Sequence, residues 1–253
     1  MKSLRRLFFV AVVFTSVISS CKKDAAPKPD LGYNYFPGQV GRYIVYNVDS
    51  TYYDDFADSS RNYKFQLKEK IQSVFSDNQN RPAIRLERYV KYYNPSIPYS
   101  NMQWQLRNVW VENITATTAE KVEENIRYMK LAFPVKENQN WNGNAQNTND
   151  PWNYSYAFYD LPRTLGGIHF DSVLQVNQHN ELSLIDQVYY EEKYARNVGL
   201  VYKRVIDIGS QPPDYTSQPY ANDSLAAFFA IPILQRADSG VNYTWTVTAY
   251  GIE

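Results

Sequence analysis

The sequence holds one cysteine, two histidines and only ten glycines in 253 residues, and it has no excess of either charge. A single cysteine excludes an intramolecular disulfide. The few glycines form no phosphate-cradling loop, so nucleotide chemistry is not expected and no cofactor is called for. There is no G-x-S-x-G elbow, and His169 and His179 must serve every role that needs an imidazole. With 26 Lys and Arg against 26 Asp and Glu, the chain lacks the basic footprint of a nucleic-acid binder. What the chain has is apolar and aromatic material: 44% hydrophobic residues, including 5 Trp, 23 Tyr and 12 Phe. That suffices for one large domain or two small ones and argues against global disorder.

The amino terminus reads as a processing signal. Lys2, Arg5 and Arg6 precede an uncharged run from Leu7 to Ser20. As a helix this run would span about 21 Å, short of the roughly 30 Å hydrocarbon core, so it reads as a secretory signal and not a membrane span. It ends in Ile18-Ser19-Ser20-Cys21, which resembles the lipobox of bacterial lipoproteins. The resemblance implies lipidation of Cys21, cleavage before it, and a membrane partner reached through the lipid. Loss of residues 1–20 leaves 23 positive and 26 negative side chains, a balance of minus three. KKDAAPKPD, from Lys22 to Asp30, contains nothing able to pack a core and should form a tether of about 30 Å. It resembles the Lys/Asp-rich segment that follows the lipid cysteine in lipoproteins of the Bacteroidota, where it favours export to the outer leaflet. The expected organisation is a signal peptide over 1–20, an anchor and tether over 21–32, and one β-rich domain over 33–253.

Beyond Tyr33 the dominant pattern is period-two alternation. Tyr63, Phe65, Leu67, Ile71 and Phe75 share a parity, and Ile84, Leu86, Val90 and Tyr92 repeat it after the turn residues Asp77 to Asn80. Residues 63–92 therefore predict a long hairpin. Trp104 to Ile114 continues the pattern, and Val241 to Tyr250 is a clear last strand, with weaker alternation at 42–48, 154–159, 168–176 and 200–208. About nine or ten strands are expected, in a curved antiparallel sheet, sandwich or open barrel, with a few short helices. The abundance of Tyr, Thr and Val suits a pleated surface.

Three segments predict helix. Thr117-Thr118-Ala119-Glu120 resembles a capping box and leads into Val122, Ile126 and Met129 on one helical face, followed by a strand. Asp223 is placed to cap 224–231 before Pro232, and Gln187 to Arg196 reads as a short helix carrying Glu191, Glu192 and Lys193 on an exposed face. The loop from Asn138 to Asp150 holds six Asn and is expected on the surface.

Candidate chemistry is sparse. His169 is expected to be structural and His179 to lie in a solvated turn. Asp54, Asp55 and Asp58 lack the spacing of a calcium loop and read as a solvated acidic segment. Glycoside hydrolysis by Glu191 or Glu192 would need a second carboxylate about 5–9 Å away, which sequence cannot supply. Aromatic excess is the remaining anomaly. Trp141, Trp152 and Tyr154 flank the Asn-rich loop and are the candidate ligand-binding residues, since Tyr and Trp offer a flat apolar face with a polar tip that can stack on sugar rings. Asp49-Ser50-Thr51, Asp171-Ser172-Val173 and Asp223-Ser224-Leu225 resemble the O-glycosylation acceptor of exported Bacteroidota proteins, which requires Ser50, Ser172 and Ser224 to be exposed.

The stretches YFPGQVGRYIVYNVDS, LAFPVKENQNWNGN and EEKYARNVGLVYKR resemble an exported lipoprotein family of Bacteroidota with no assigned activity. The resemblance covers most of the mature chain and implies no catalytic residues. The expectation is a noncatalytic, lipid-anchored protein of the outer membrane or cell surface whose β body binds a protein, glycan or lipid. Two rivals stand beside it. A periplasmic lipid or lipoprotein carrier would need a continuous apolar cavity of several hundred Å³. A glycan-active enzyme would need two carboxylates facing each other across an aromatic cleft.

Overall fold

The computed structural model describes residues 29–212 and 221–253. The compact body runs from Leu31 to Glu253. Its strands are β1 (Arg42–Asp54), β2 (Ser59–Ser76), β3 (Pro82–Tyr92), β4 (Gln105–Ile114), β5 (Thr118–Glu123) and β6 (Ile126–Ala132), then β7 (Asn140–Asn142), β8 (Asn153–Leu165), β9 (Ile168–Leu182), β10 (Asp186–Ala195), β11 (Gly199–Gly209) and β12 (Ser239–Ile252). A short helix, α1 (Ala221–Ala230), precedes β12. The fold class expected from alternation holds: these strands make one curved antiparallel sheet, nearly closed into a barrel. The sheet has twelve strands where the alternation indicated nine or ten.

The strand order is β6-β5-β4-β3-β2-β1-β12-β11-β10-β9-β8-β7. Consecutive strands thus pair everywhere except between β6 and β7, and β12 returns to pair with β1, Arg42 opposite Ile252 through Tyr53 opposite Gly240. The result is an up-and-down meander with one seam, between β6 and β7, that lacks a strand ladder. Because unpaired backbone groups at a buried edge are costly, something must satisfy them. Side chains do so here. Tyr156 Oη donates to Ala132 O (2.7 Å) and accepts from Ala132 N (3.1 Å). Trp141 Nε1 donates to Met129 O (2.9 Å), and Asn147 Nδ2 to Arg127 O (2.8 Å). One backbone bond, Met129 N to Gly143 O (2.9 Å), completes the stitching.

Two of the predicted helices are strands. Thr118–Glu123 pairs with Ile126–Ala132 as a hairpin whose turn residues Glu124 and Asn125 both have positive φ (48° and 68°), the geometry of a tight two-residue hairpin turn. Thr115 caps the entry by accepting from Thr118 N (2.9 Å), and Glu120 reaches across the hairpin to Arg127 (2.8 Å) and not back to a helix N-terminus. Asp186–Ala195 is β10, paired to β9 and β11. Its Val and Tyr residues favour the pleat, and its glutamates are buried, not exposed, for a reason given below. Helix is present at the third segment, although the side chain of Asp223 lies outside the described residues.

The apolar core lies inside the curl, with Tyr46, Leu67, Leu131, Val176 and Val247 fully enclosed. A separate small cluster joins Ile206 and Ile208 to Ile233, in the segment after α1. The glycine pair Gly166-Gly167 makes the β8–β9 turn with φ of 58° and 81°. A Cβ on Gly166 would stand 1.9 Å from Val247 O, so backbone shape and close approach both require glycine there.

Candidate functional site

The interior is not purely apolar. Positions that point into the curl include Glu69 on β2, Arg88 on β3, Glu112 on β4 and Lys121 on β5, all buried. Glu69 accepts from Arg88 Nε and from Lys121 Nζ, each at 2.9 Å, and Lys121 also lies 3.4 Å from Glu112. The Arg88 guanidinium lies 3.4 Å from the centroid of the Trp110 ring, so its faces are covered as well as its edges paired.

A second quartet crosses the interior from one half of the sheet to the other. Lys130 on β6 lies 2.8 Å from Glu123 on β5 and 3.0 Å from Glu192 on β10. Lys203 on β11 lies 3.2 Å from Glu192 and 3.7 Å from Glu123. Glu192 also accepts from Tyr194 Oη (2.6 Å) and Gln178 Nε2 (2.8 Å). Burial pushes the Glu123 and Glu192 carboxyls up, but Lys130 and Lys203 outweigh it and hold both well below the usual carboxylate range. Burial disfavours the Lys130 and Lys203 ammoniums, and the facing glutamates, Glu123 foremost, hold both above the ordinary lysine value. Glu112 differs: burial raises its carboxyl, Lys121 opposes and Glu69 adds to the rise. The charges of the two quartets balance four against four, which is how a lumen of this kind can carry them.

Three of the quartet, Glu123, Lys130 and Lys203, floor a cleft of about 600 Å³. One wall is the β5–β6 hairpin with Glu123, Tyr128 and Lys130, and another is the Asn-rich segment with Asn144, Thr148, Asn149 and Asp150. Trp152, Tyr154, Gln178, Tyr190 and Tyr243 complete it. Trp152 is fixed in place. Its ring stacks on His179 (4.2 Å between centroids, 23° between planes) and meets Tyr190 edge-on at 5.0 Å, while its backbone N donates to Asn142 Oδ1 (3.1 Å). Tyr190 Oη donates to Asp207 Oδ2 (2.7 Å). Burial pushes the Tyr154 hydroxyl up to about 12, with Lys130 pulling the other way. Past the quartet, the interior space bounded by Phe36, Tyr46, Trp110 and Trp245 is only about 50 Å³.

Of the three aromatic residues singled out in the sequence, Trp152 and Tyr154 stand together on the cleft. Trp141 is buried behind it, packed 4.7 Å from Tyr156 and serving the seam. Cys21 lies outside the described residues. The Asn-rich loop is partly interior, since Trp141 and Asn144 are buried. His179 sits within β9 against Trp152 and not in a solvated turn, whereas His169 is exposed beside Asp171. Glu191 and Glu192 are buried, Glu191 receiving Lys193 (2.6 Å) and Gln175 (2.9 Å). Asp54 Oδ1 accepts from Ala57 N (3.1 Å) in the β1–β2 turn, and no group of three acidic, His or Cys side chains is placed to hold a metal among the described residues. Ser50 and Ser224 are half-buried, and Ser172 is half-buried and bonded to Tyr35, Asp160 and Arg196.

Of the charged residues of the lumen, only Glu192 was singled out in the sequence, and it was expected on the exposed face of a helix. The signal present was parity: Glu69 shares it with Leu67 and Ile71, and Lys121 with Ala119.

No protein-family profile and no curated protein matches the chain. Among solved structures, the chain is similar to one from Bacteroides fragilis, provisionally described as an exported protein with a YmcC-like fold, at 11% identity over 85% of this chain and 98% of that one, with a TM-score of 0.40. It is also similar to one from Parabacteroides distasonis, provisionally described as a lipoprotein, at 11% identity over 86% of this chain and 98% of that one, with a TM-score of 0.37.

Proposed function

We propose that this chain is a noncatalytic lipoprotein of the cell envelope, held at the outer membrane by a lipid on Cys21, whose β body binds a ligand at the open mouth of its curled sheet. The observation that carries the reading is the cleft of about 600 Å³, in which a pinned indole, four tyrosines and side-chain amides converge above a paired charge floor. That volume lies in the ordinary range of ligand sites.

The two rival readings fare worse. A carrier of acyl chains needs continuous apolar space, and the apolar interior offers about 50 Å³. A glycosidase needs one carboxyl kept protonated near neutral pH. Glu123 and Glu192 do face each other across the floor, but the lysines between them keep both ionised. Glu112 has the raised carboxyl, yet it sits where a sugar ring has no room.

The test is cross-linking in living cells of the source bacterium, with a photoreactive amino acid at Thr148 on the cleft wall and, as control, at the exposed Phe56 of the β1–β2 turn. The reading expects an adduct at Thr148 that disappears with Trp152→Ala. Absence of any adduct specific to Thr148, with the protein present in the envelope, contradicts it.

A further inference from the structure

Resting on that reading, we infer that the ligand of the cleft is a neutral, polyhydroxylated sugar chain, stacked on Trp152. The inference is drawn from what the lining residues can and cannot satisfy.

Apart from the exposed Asp150 carboxylate on the wall, which repels anions in its turn, the fixed charge of the cleft is already paired. Its two cations, Lys130 and Lys203, each face both Glu123 and Glu192, two against two. A phosphate, sulfate or carboxylate would have to displace a buried glutamate from a buried lysine, which leaves a carboxylate unpaired in the interior. An acyl chain would strand the polar groups of the walls. The site therefore selects against anions and against lipid tails.

What remains open is neutral and ambivalent. The Tyr128, Tyr154 and Tyr243 hydroxyls, the Thr148 hydroxyl and the Asn149 side-chain amide line the cleft and make no hydrogen bond within the protein among the described residues. Each phenol or hydroxyl can both donate and accept, and an amide offers one of each. Sugar hydroxyls are likewise donors and acceptors at once, so each such contact can be made in either direction without placing a charge. The apolar part of the requirement is met by Trp152. An indole stacked on His179 and in T-shaped contact with Tyr190 loses little freedom on binding, and the C–H face of a sugar ring is the natural partner of such a flat surface.

The experiment uses the full chain in detergent micelles, titrated by calorimetry with mannohexaose, maltohexaose, laminarihexaose and chitohexaose, and in parallel with heparin, palmitate and adenosine. The inference expects saturable binding of at least one neutral hexasaccharide, unchanged when salt rises from about 0.05 to about 0.5 M, since no charge is engaged. Trp152→Ala should weaken it about tenfold or more, Tyr243→Phe several-fold, and Trp104→Ala, which lies beside Lys91 and does not line the cleft, not at all. Where Trp152→Ala fails to unfold at the parent's urea midpoint, Tyr243→Phe and Tyr128→Phe carry the comparison. Binding of no neutral oligosaccharide overturns the inference, as does binding only of heparin, palmitate or adenosine, or binding that ignores Trp152. An in-cell adduct at Thr148 that proves to be protein would overturn the sugar and leave the binding reading standing. Loss of that adduct altogether would sink the reading itself.

Discussion

Glu192 is fully buried, accepts from Lys130, Tyr194 and Gln178, and pairs with Lys203 at 3.2 Å. Removing one partner of a buried ionic set leaves the others desolvated and unpaired, so Glu192→Gln should destabilise the fold by about 3–5 kcal/mol, read from urea unfolding. The same residues set the acid limb of stability. In the unfolded chain Glu carboxyls take up protons near about pH 4.3. In the fold Glu69, Glu123 and Glu192 stay ionised to lower pH, the lysines and Arg88 outweighing burial. Below about pH 5 the unfolded state therefore binds more protons, and stability falls as pH falls through that window. Glu112, with its carboxyl raised, works in the opposite sense and offsets part of the loss. Unfolding midpoints in urea should drop between about pH 6 and about pH 3, and Glu192→Gln should flatten that drop. A midpoint that stays level in the parent would show that the lumen glutamates are not held ionised.

At the scale of elements, the seam between β6 and β7 is the weak line of the barrel, because side chains stand where a ladder would be. Tyr156→Phe leaves the Ala132 N–H and C=O without their partner in a buried site, at a cost of about 1–3 kcal/mol. Amide exchange of Met129 and Ala132 should quicken while that of Val247, in the middle of β12, does not. Equal quickening throughout would mean the seam opens only with the whole fold. Gly143 gives a second probe. A Cβ there would stand 2.2 Å from the Tyr154 ring, so Gly143→Ala must push that ring toward the cleft and should weaken both the seam and any ligand. Long amphipathic strands were legible from sequence: β2, β3, β4 and β12 lie where alternation placed them, although Tyr63, Phe75, Tyr92 and Leu106, which share the buried parity, are exposed at the strand ends. β5 and β10 were not, since Thr-x-x-Glu and Glu-Glu-Lys carry the same letters whether the carboxylate caps a helix or crosses a barrel lumen. Which of these holds is decided by partners 52 to 80 residues away, such as Lys121 for Glu69 and Lys203 for Glu123. Half of the candidate site was visible for a similar reason. Trp152 and Tyr154 stood out as aromatics beside a polar loop, while Trp141 drew the same inference and turned out to serve the β6 edge. Nothing local distinguishes an indole that faces a ligand from one that faces a backbone carbonyl.

For the molecule as a whole, the account joins a lipid on Cys21, a tether and a binding body. One acyl chain holds a protein only marginally and two or more hold it stably, so the fully processed protein should stay with membranes through salt washes. Cys21→Ser should release it to the soluble fraction with its urea midpoint unchanged. The most direct test is the intact mass of the protein extracted from envelopes of the source bacterium. The account predicts a mature chain that begins at Cys21 and carries diacylglyceryl and acyl mass on that residue; a chain that retains residues 1–20, or one that begins elsewhere with an unmodified sulfur, would contradict it.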